Sequence, residues 1–191
     1  MSVLENHHAS RASILLIKEE NNFVNHLPVS QWNRFRTVLI NCILGTDMGT
    51  HGKFLSNLNA VMKTCPLDVD PLSAKISCIS SSPENRLLLC QGILKVSDIS
   101  NPCRPFEIAR TWAYQLIQEF IGQSETEQVH GLQSIIFPGG GQEIVNLQDL
   151  QVKFIEGVVL PLIEALSFFI MEGLQEMKDN AKKNVVTWKS L

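Results

Sequence analysis

The sequence predicts an all-α fold, and three observations carry that expectation. Apolar residues recur at helical spacing through most of the 191 residues. No segment alternates apolar and polar residues as a half-buried strand would. The longest apolar run, Val158 to Met171, contains Pro161 and Glu164, so it reads as a core helix too short to span a bilayer. With 45% hydrophobic and 18% charged residues, a packed core is expected, organised as one domain over residues 1–191.

Taken in order, Ser10 to Glu20 is a short amphipathic piece that ends at the polar Asn21-Asn22. Trp32, Phe35, Val38, Leu39, Cys42 and Ile43 follow at helical spacing behind Ser30, a suitable N-cap. A second segment after Gly45 carries His51, Phe54, Leu55, Leu58, Val61 and Met62. The stretch Thr64 to Pro83 holds three prolines with several Ser and two Asp, which predicts a loop. Pro83 then suits the first turn of a helix through Leu87, Leu88 and Leu94, since proline needs no helical N–H there. The clearest helix starts at Pro105, with Phe106, Ala109, Trp112, Ala113, Leu116, Ile117, Phe120 and Ile121 on one stripe. Glu125 to Pro138 reads as irregular, and Gly139-Gly140-Gly141 as a flexible tip. Asn146 with Asp149 three residues on resembles a capping box and starts the next helix. Pro161 should kink or split it. The last helix sets Leu174, Met177, Ala181, Val185 and Trp188 on one face.

Charge and cysteine usage narrow the function classes. Net charge is −3, and no Lys/Arg cluster exceeds Lys182-Lys183, so no nucleic-acid surface is expected. The five cysteines, Cys42, Cys65, Cys78, Cys90 and Cys103, form no CxxC pair and read as reduced thiols of a cytoplasmic protein. Met1 to His8 is polar and lacks the apolar stretch of a signal peptide. No membrane span is expected.

Several constellations could carry chemistry. Asp98 closes the apolar stretch Leu87 to Val96, beside Asn101 and Pro102. A carboxylate at the end of a buried helix must be solvated, paired or metal-bound, so Asp98 is either a helix cap or a metal ligand. Glu5-Asn6-His7-His8 offers potential ligands, but adjacent histidines on a helix point about 100° apart. Thr46-Asp47-Met48 with His51 places Asp47 and His51 at i and i+4, on one face if helical. Gln151 and Phe154 lie three apart on an otherwise apolar helix face, where the amide is either a satisfied core group or a bidentate reader of a ligand. Gly45, Gly49 and Gly52 lack the Lys-Ser/Thr of a phosphate loop and follow no strand.

Taken together and in order, these pieces resemble the class I cyclic-nucleotide phosphodiesterase catalytic domain. The resemblance rests on Val3-Leu4-Glu5-Asn6-His7-His8, Thr46-Asp47-Met48 with His51, and Lys95-Val96-Ser97-Asp98-Ile99-Ser100-Asn101-Pro102. It continues through Trp112, Glu119-Phe120, Gln151-Val152-Lys153-Phe154-Ile155, Pro161, and Asn184 with Trp188. It implies a multi-helix, metal-dependent phosphohydrolase of the HD superfamily that cuts the 3′ ester of cAMP or cGMP. Two divalent ions, zinc with magnesium or manganese, would hold the attacking hydroxide. Asp98 matches the family's carboxylate ligand, and Glu5 and Thr46 match groups that orient metal-bound waters. Gln151 matches the amide that reads the purine edge. Phe154 matches the ring stacked on the purine, opposite Leu116 and Phe120, and Asn101 matches a polar purine contact. Its Asn-Pro setting looks more like the cAMP-preferring branches.

One departure shapes what the resemblance implies. The family's general-acid histidine lies in an HNxxH segment, and its other metal ligands are a separate His and a His-Asp pair. This chain contains neither motif, and His7, His8, His26, His51 and His130 do not match those roles. The expectation is therefore a domain lacking its N-terminal helices, inactive alone, with exposed apolar surface around Trp32 and Leu87. Such a chain would self-associate or pair with a missing N-terminal half, or else serve as a binding module.

Overall fold

Every regular element of the computed structural model is helical among the residues it describes, 2–65, 71–134 and 146–191. Eight α-helices follow one another: α1 (Val3–Ile17), α2 (Val29–Leu44), α3 (His51–Thr64), α4 (Pro71–Ser80), α5 (Pro83–Asp98), α6 (Phe106–Val129), α7 (Leu147–Phe154) and α8 (Leu160–Ser190). Short 3-10 turns occupy Glu19–Asn21, Met48–Thr50 and Asn101–Cys103, and a π-helical turn, Ile155–Val159, joins α7 to α8. The chain sorts into two units, one of Met1–Asp98 with Ala165–Met171, the other of Ile99–Glu164 with Glu172–Leu191. The all-α expectation holds.

In the first unit α2 packs on α1 and α5, and α4 packs on α5. Gly92 of α5 permits one close approach: a Cβ there would stand 2.5 Å from a Leu166 methyl and 3.2 Å from the Phe54 ring. Phe54, Leu58, Val96 and Leu166 are buried. Pro83 opens α5 as expected, and the Ser82 hydroxyl before it caps the helix by accepting the Asn85 N–H at 3.0 Å.

Four local readings need correction here. α1 begins at Val3 and not near Ser10, because the polar Glu5-Asn6-His7-His8 run lies mostly on exposed helix surface. α2 begins at Val29, with Pro28 and not Ser30 in the capping position. The expected loop from Thr64 to Pro83 contains helix α4, which tolerates Pro71 at its first position. That helix returns Cys78 to Cys65, and the two form a disulfide with Cα atoms 5.6 Å apart, against the expectation of reduced thiols. The remaining buried cysteines are poor nucleophiles, since burial pushes Cys42 and Cys103 up to about 11.

The expected apolar exposure is present, though shifted in place. Trp32 and Leu87 are half-buried, whereas Val3, Ile17, Phe23 and Val29 are at least 70% exposed. Phe35 stacks on Trp32 and meets Phe23 edge-on. The run Leu87 to Val96 carries more apolar residues than one helix face can bury. Only Gly92, Lys95 and Val96 of α5 are buried, and Ile93 and Leu94 are exposed.

In the second unit α6 packs on the Asn101–Cys103 turn and on α7. Ala109, Ala113 and Ile117 form its buried stripe, but Trp112 is 53% exposed. α6 runs through Val129, so the stretch from Glu125, expected to be irregular, is helical for another turn. Pro138 and the Gly139-Gly140-Gly141 tip lie outside the described residues. The Asn146 cap is as expected, its Oδ1 accepting the Asp149 N–H at 3.0 Å. The expected kink or split at Pro161 takes a milder form: a π turn ends at Val159, the backbone stays helical through Leu160, and the break inside α8 falls at Ile170, with φ −134° and ψ 52°. The far end of α8 is held by Trp188, 2% exposed, edge-on to Phe106 at 5.1 Å.

Among the described residues no helix is long and apolar enough to cross a membrane.

Candidate functional site

The residues singled out in the sequence fall into two groups, one on each unit. Glu5, Thr46, Asp47, His51 and Asp98 belong to the first unit, and Asn101, Leu116, Phe120, Gln151 and Phe154 to the second.

The first group is organised around a residue whose role the sequence did not reveal. Lys95 is fully buried, and its ammonium donates to three successive carbonyls, Gly45 at 3.1 Å, Thr46 at 3.2 Å and Asp47 at 3.1 Å. All three ammonium donors are thereby used, which is how a buried charge becomes tolerable. Burial draws the Lys95 pKa down, while the carboxylates of Asp98, Asp47 and Glu5 oppose that shift. One turn earlier, Gln91 donates to the Asn41 carbonyl at 2.9 Å, so two donors of α5 secure the C-terminal end of α2.

Thr46 sits in the secured turn, its hydroxyl donating to the Ile43 carbonyl at 2.8 Å. Asp47 does not share a helix face with His51, because a 3-10 turn separates it from α3. It caps that turn, accepting the Gly49 N–H at 2.7 Å. The Ser2 hydroxyl and the Gly49 N–H, aided by Lys95, hold the Asp47 carboxyl below its ordinary range. His51, at the start of α3, is 8% exposed, and neither ring nitrogen finds a hydrogen-bond partner among the described residues. Burial and the Lys95 charge lower its pKa.

Asp98 is the last residue of α5, as expected, but its side chain is exposed and not sunk in a core. The helix end explains this, since Asp98 lies one turn beyond the buried Lys95 on a chain about to leave the helix. Glu5 is half-buried. Among the described residues no three His, Cys, Asp or Glu side chains stand together so as to hold a metal ion. A catalytic zinc takes about three protein ligands, so these residues do not by themselves suit the ion pair the resemblance implies, and Asp98 offers one oxygen ligand.

In the second group, Gln151 and Phe154 are half-buried on α7, and Leu116 and Phe120 are half-buried four apart on one face of α6. The Gln151 amide makes no hydrogen bond among the described residues, which leaves its donors and acceptor available. Asn101, half-buried, opens the Asn101–Cys103 turn. That turn is held by Asn184 of α8, 2% exposed, whose Nδ2 donates to the Pro102 and Arg104 carbonyls, each at 2.8 Å. An open groove of about 510 Å³ along the later turns of α6 is lined by Glu119, Gln123, Glu127 and His130 among others, and by none of the five residues above.

The ordered pattern of motifs recurs in known proteins. The pattern of the family described as 3′5′-cyclic nucleotide phosphodiesterase matches residues 1–181. This chain belongs to the 3′5′-cyclic nucleotide phosphodiesterase family. The high affinity cGMP-specific 3′,5′-cyclic phosphodiesterase 9A of Drosophila melanogaster is 37% identical over 172 residues, covering 90% of this chain and 10% of that protein. The high affinity cAMP-specific and IBMX-insensitive 3′,5′-cyclic phosphodiesterase 8A of Homo sapiens is 26% identical over 197 residues, covering all of this chain and 23% of that protein. Among solved structures, the phosphodiesterase domain of the RhoPDE fusion protein from the choanoflagellate Salpingoeca rosetta superposes with a TM-score of 0.83 at 33% identity, over 99% of this chain and 56% of that one. LmjPDEB1 in complex with IBMX shares the fold, with a TM-score of 0.83 at 24% identity over 98% of this chain and 52% of that one. The chain thus spans about half the length of the solved domains it matches.

Proposed function

We propose that this chain provides the purine-binding face and one metal ligand, Asp98, of a cyclic-nucleotide phosphodiesterase catalytic domain that hydrolyses the 3′ phosphoester. The observation that carries the reading is Gln151 on α7, half-buried with its amide unpartnered, one turn before the half-buried ring of Phe154. An amide offers a donor pair beside an acceptor, so by rotating it matches the edge of adenine or of guanine. Phe154 supplies a face for stacking, and Leu116 and Phe120 an apolar wall. Since nothing in the fold fixes the Gln151 amide, discrimination between purines falls to Asn101, whose setting beside Pro102 supports cAMP over cGMP. The metal ligands beyond Asp98 come from outside the described residues or from another chain. Asp98 binds metal in this reading, while Glu5 and Thr46 orient its waters.

Titration calorimetry of the 191-residue chain with cAMP and with cGMP tests the purine face. Losing the amide contacts or the ring costs about 1–3 kcal/mol each, so Gln151→Ala and Phe154→Ala should each weaken binding about 10- to 100-fold. Unchanged affinity for both nucleotides in Phe154→Ala would refute this assignment. The absence of a three-ligand cluster among the described residues favours a second reading, a nucleotide-binding module without turnover of its own. It predicts binding without hydrolysis when Zn²⁺ or Mg²⁺ is added to the isolated chain. Turnover that is lost with chelator and in Asp98→Ala would overturn it.

A further inference from the structure

We propose that Lys95 is a positioning residue that makes the Thr46 turn and the Asp98 end of α5 a single rigid piece. The ammonium sits one helical turn before Asp98 on α5 and spends its three donors on Gly45, Thr46 and Asp47, the residues that follow α2. Those carbonyls converge on one point as they would around a bound monovalent cation, so the chain carries its own cation at the junction. The Ser2 hydroxyl, just before α1, donates to the Asp47 carboxylate, and the remaining bonds there are local: Thr46 to Ile43, Asp47 to Leu44 and Gly49 to Asp47. These local bonds shape the turn but do not tie it to another helix. Gln91 reaches only Asn41, a turn further back. Among the described residues Lys95 is therefore the hydrogen-bonded tie from the Thr46 turn to α5, the helix that ends at Asp98.

The inference rests on the reading of Asp98 and Thr46 as the metal-facing side, and it extends that reading to a residue that touches neither metal nor substrate. Methionine at this position keeps much of the volume and removes the donors, whereas exposed lysines elsewhere, such as Lys182 and Lys183, serve as internal references.

Nuclear magnetic resonance of the whole chain provides the test. In the wild type, the Lys95 ammonium should give a slowly exchanging signal that the exposed lysines lack. In Lys95→Met, the Asp47, Gly49 and Thr50 amides should exchange about tenfold faster, the equivalent of one lost hydrogen bond, while Ala113 and Ile117 of α6 stay unchanged. A Lys95 ammonium that exchanges like Lys182 would overturn the proposal, and this measurement does not depend on the variant folding. So would wild-type exchange at Asp47 to Thr50 in a folded Lys95→Met. Failure of the purine-face reading would show instead in the calorimetry of Gln151 and Phe154 variants, which these exchange rates do not report.

Discussion

Replacing Asn184 by leucine isolates one buried amide and the turn it supports. Asn184 is 2% exposed, and its Nδ2 donates at 2.8 Å to both the Pro102 and the Arg104 carbonyls. Leucine keeps the branched outline but takes more room, so some overpacking adds to the loss at two acceptors. The Pro102 carbonyl belongs to a buried residue, and stranding it costs about 1–3 kcal/mol. Arg104 is exposed, so water can replace the amide there and the added cost is about 1 kcal/mol or less. The sum for the two acceptors is about 1–4 kcal/mol, or roughly 2–16 °C in the melting temperature of a chain this size. Near-ultraviolet circular dichroism suits the measurement, because Trp188 follows Asn184 by one turn and packs edge-on against Phe106. Asn184→Asp is the discriminating companion. At neutral pH it directs a carboxylate oxygen at two carbonyl oxygens, so it should melt below Asn184→Leu. Cyclic-nucleotide affinity should fall in both, since the Asn101 turn loses its anchor. A leucine variant melting within about 1 °C of wild type, or an aspartate variant melting above it, would refute the reasoning.

Two further outcomes follow from single sites. His51 has a lowered pKa in the folded chain, so only the unfolded chain takes up its proton as pH falls through about 6.5. Its contribution is complete above that pH and is lost on acidification towards the folded value. Urea midpoints at pH 7.5 and 5.5 should differ more for the wild type than for His51→Leu, and equal differences would exclude His51 as the cause. The Cys65–Cys78 bridge, closing a loop at a sequence separation of 13, should contribute about 3 kcal/mol; reductant should lower the melting temperature of the wild type but not of Cys65→Ser/Cys78→Ser.

What the sequence made legible was whatever rests on local chemistry. The Asn146 cap and Pro83 at a first turn each depend on neighbours within a few residues, and each stands where expected. Helix α4 escaped notice because its proline and serines suggest turns, although proline at a first helical position is no obstacle. The disulfide depends on α4 folding back, which cysteine spacing alone cannot show. Lys95 was the largest omission, since lysine is almost never fully buried. The available sign was its face: Gln91, Gly92, Lys95 and Val96 share one stripe of α5, two long donors beside a glycine. The proposed site followed the same rule. That Gln151 and Phe154 share one helix was legible, whereas the buried, unpaired ring of His51 depends on how distant segments meet.

The π turn between α7 and α8 sets a rotational phase. Each residue advances an α-helix by about 100°, and a wider π turn takes up one residue more than the α turn it replaces. Side chains before Ile155 are therefore rotated by about that angle from where an unbroken helix through α8 would put them. Gln151 and Phe154 owe their facing to this offset as much as to their identity. Gly157, inside the turn and open to solvent, marks the register point. Removing that single residue would let α7 and α8 merge and swing the amide and the ring away together, leaving every other side chain of the motif intact.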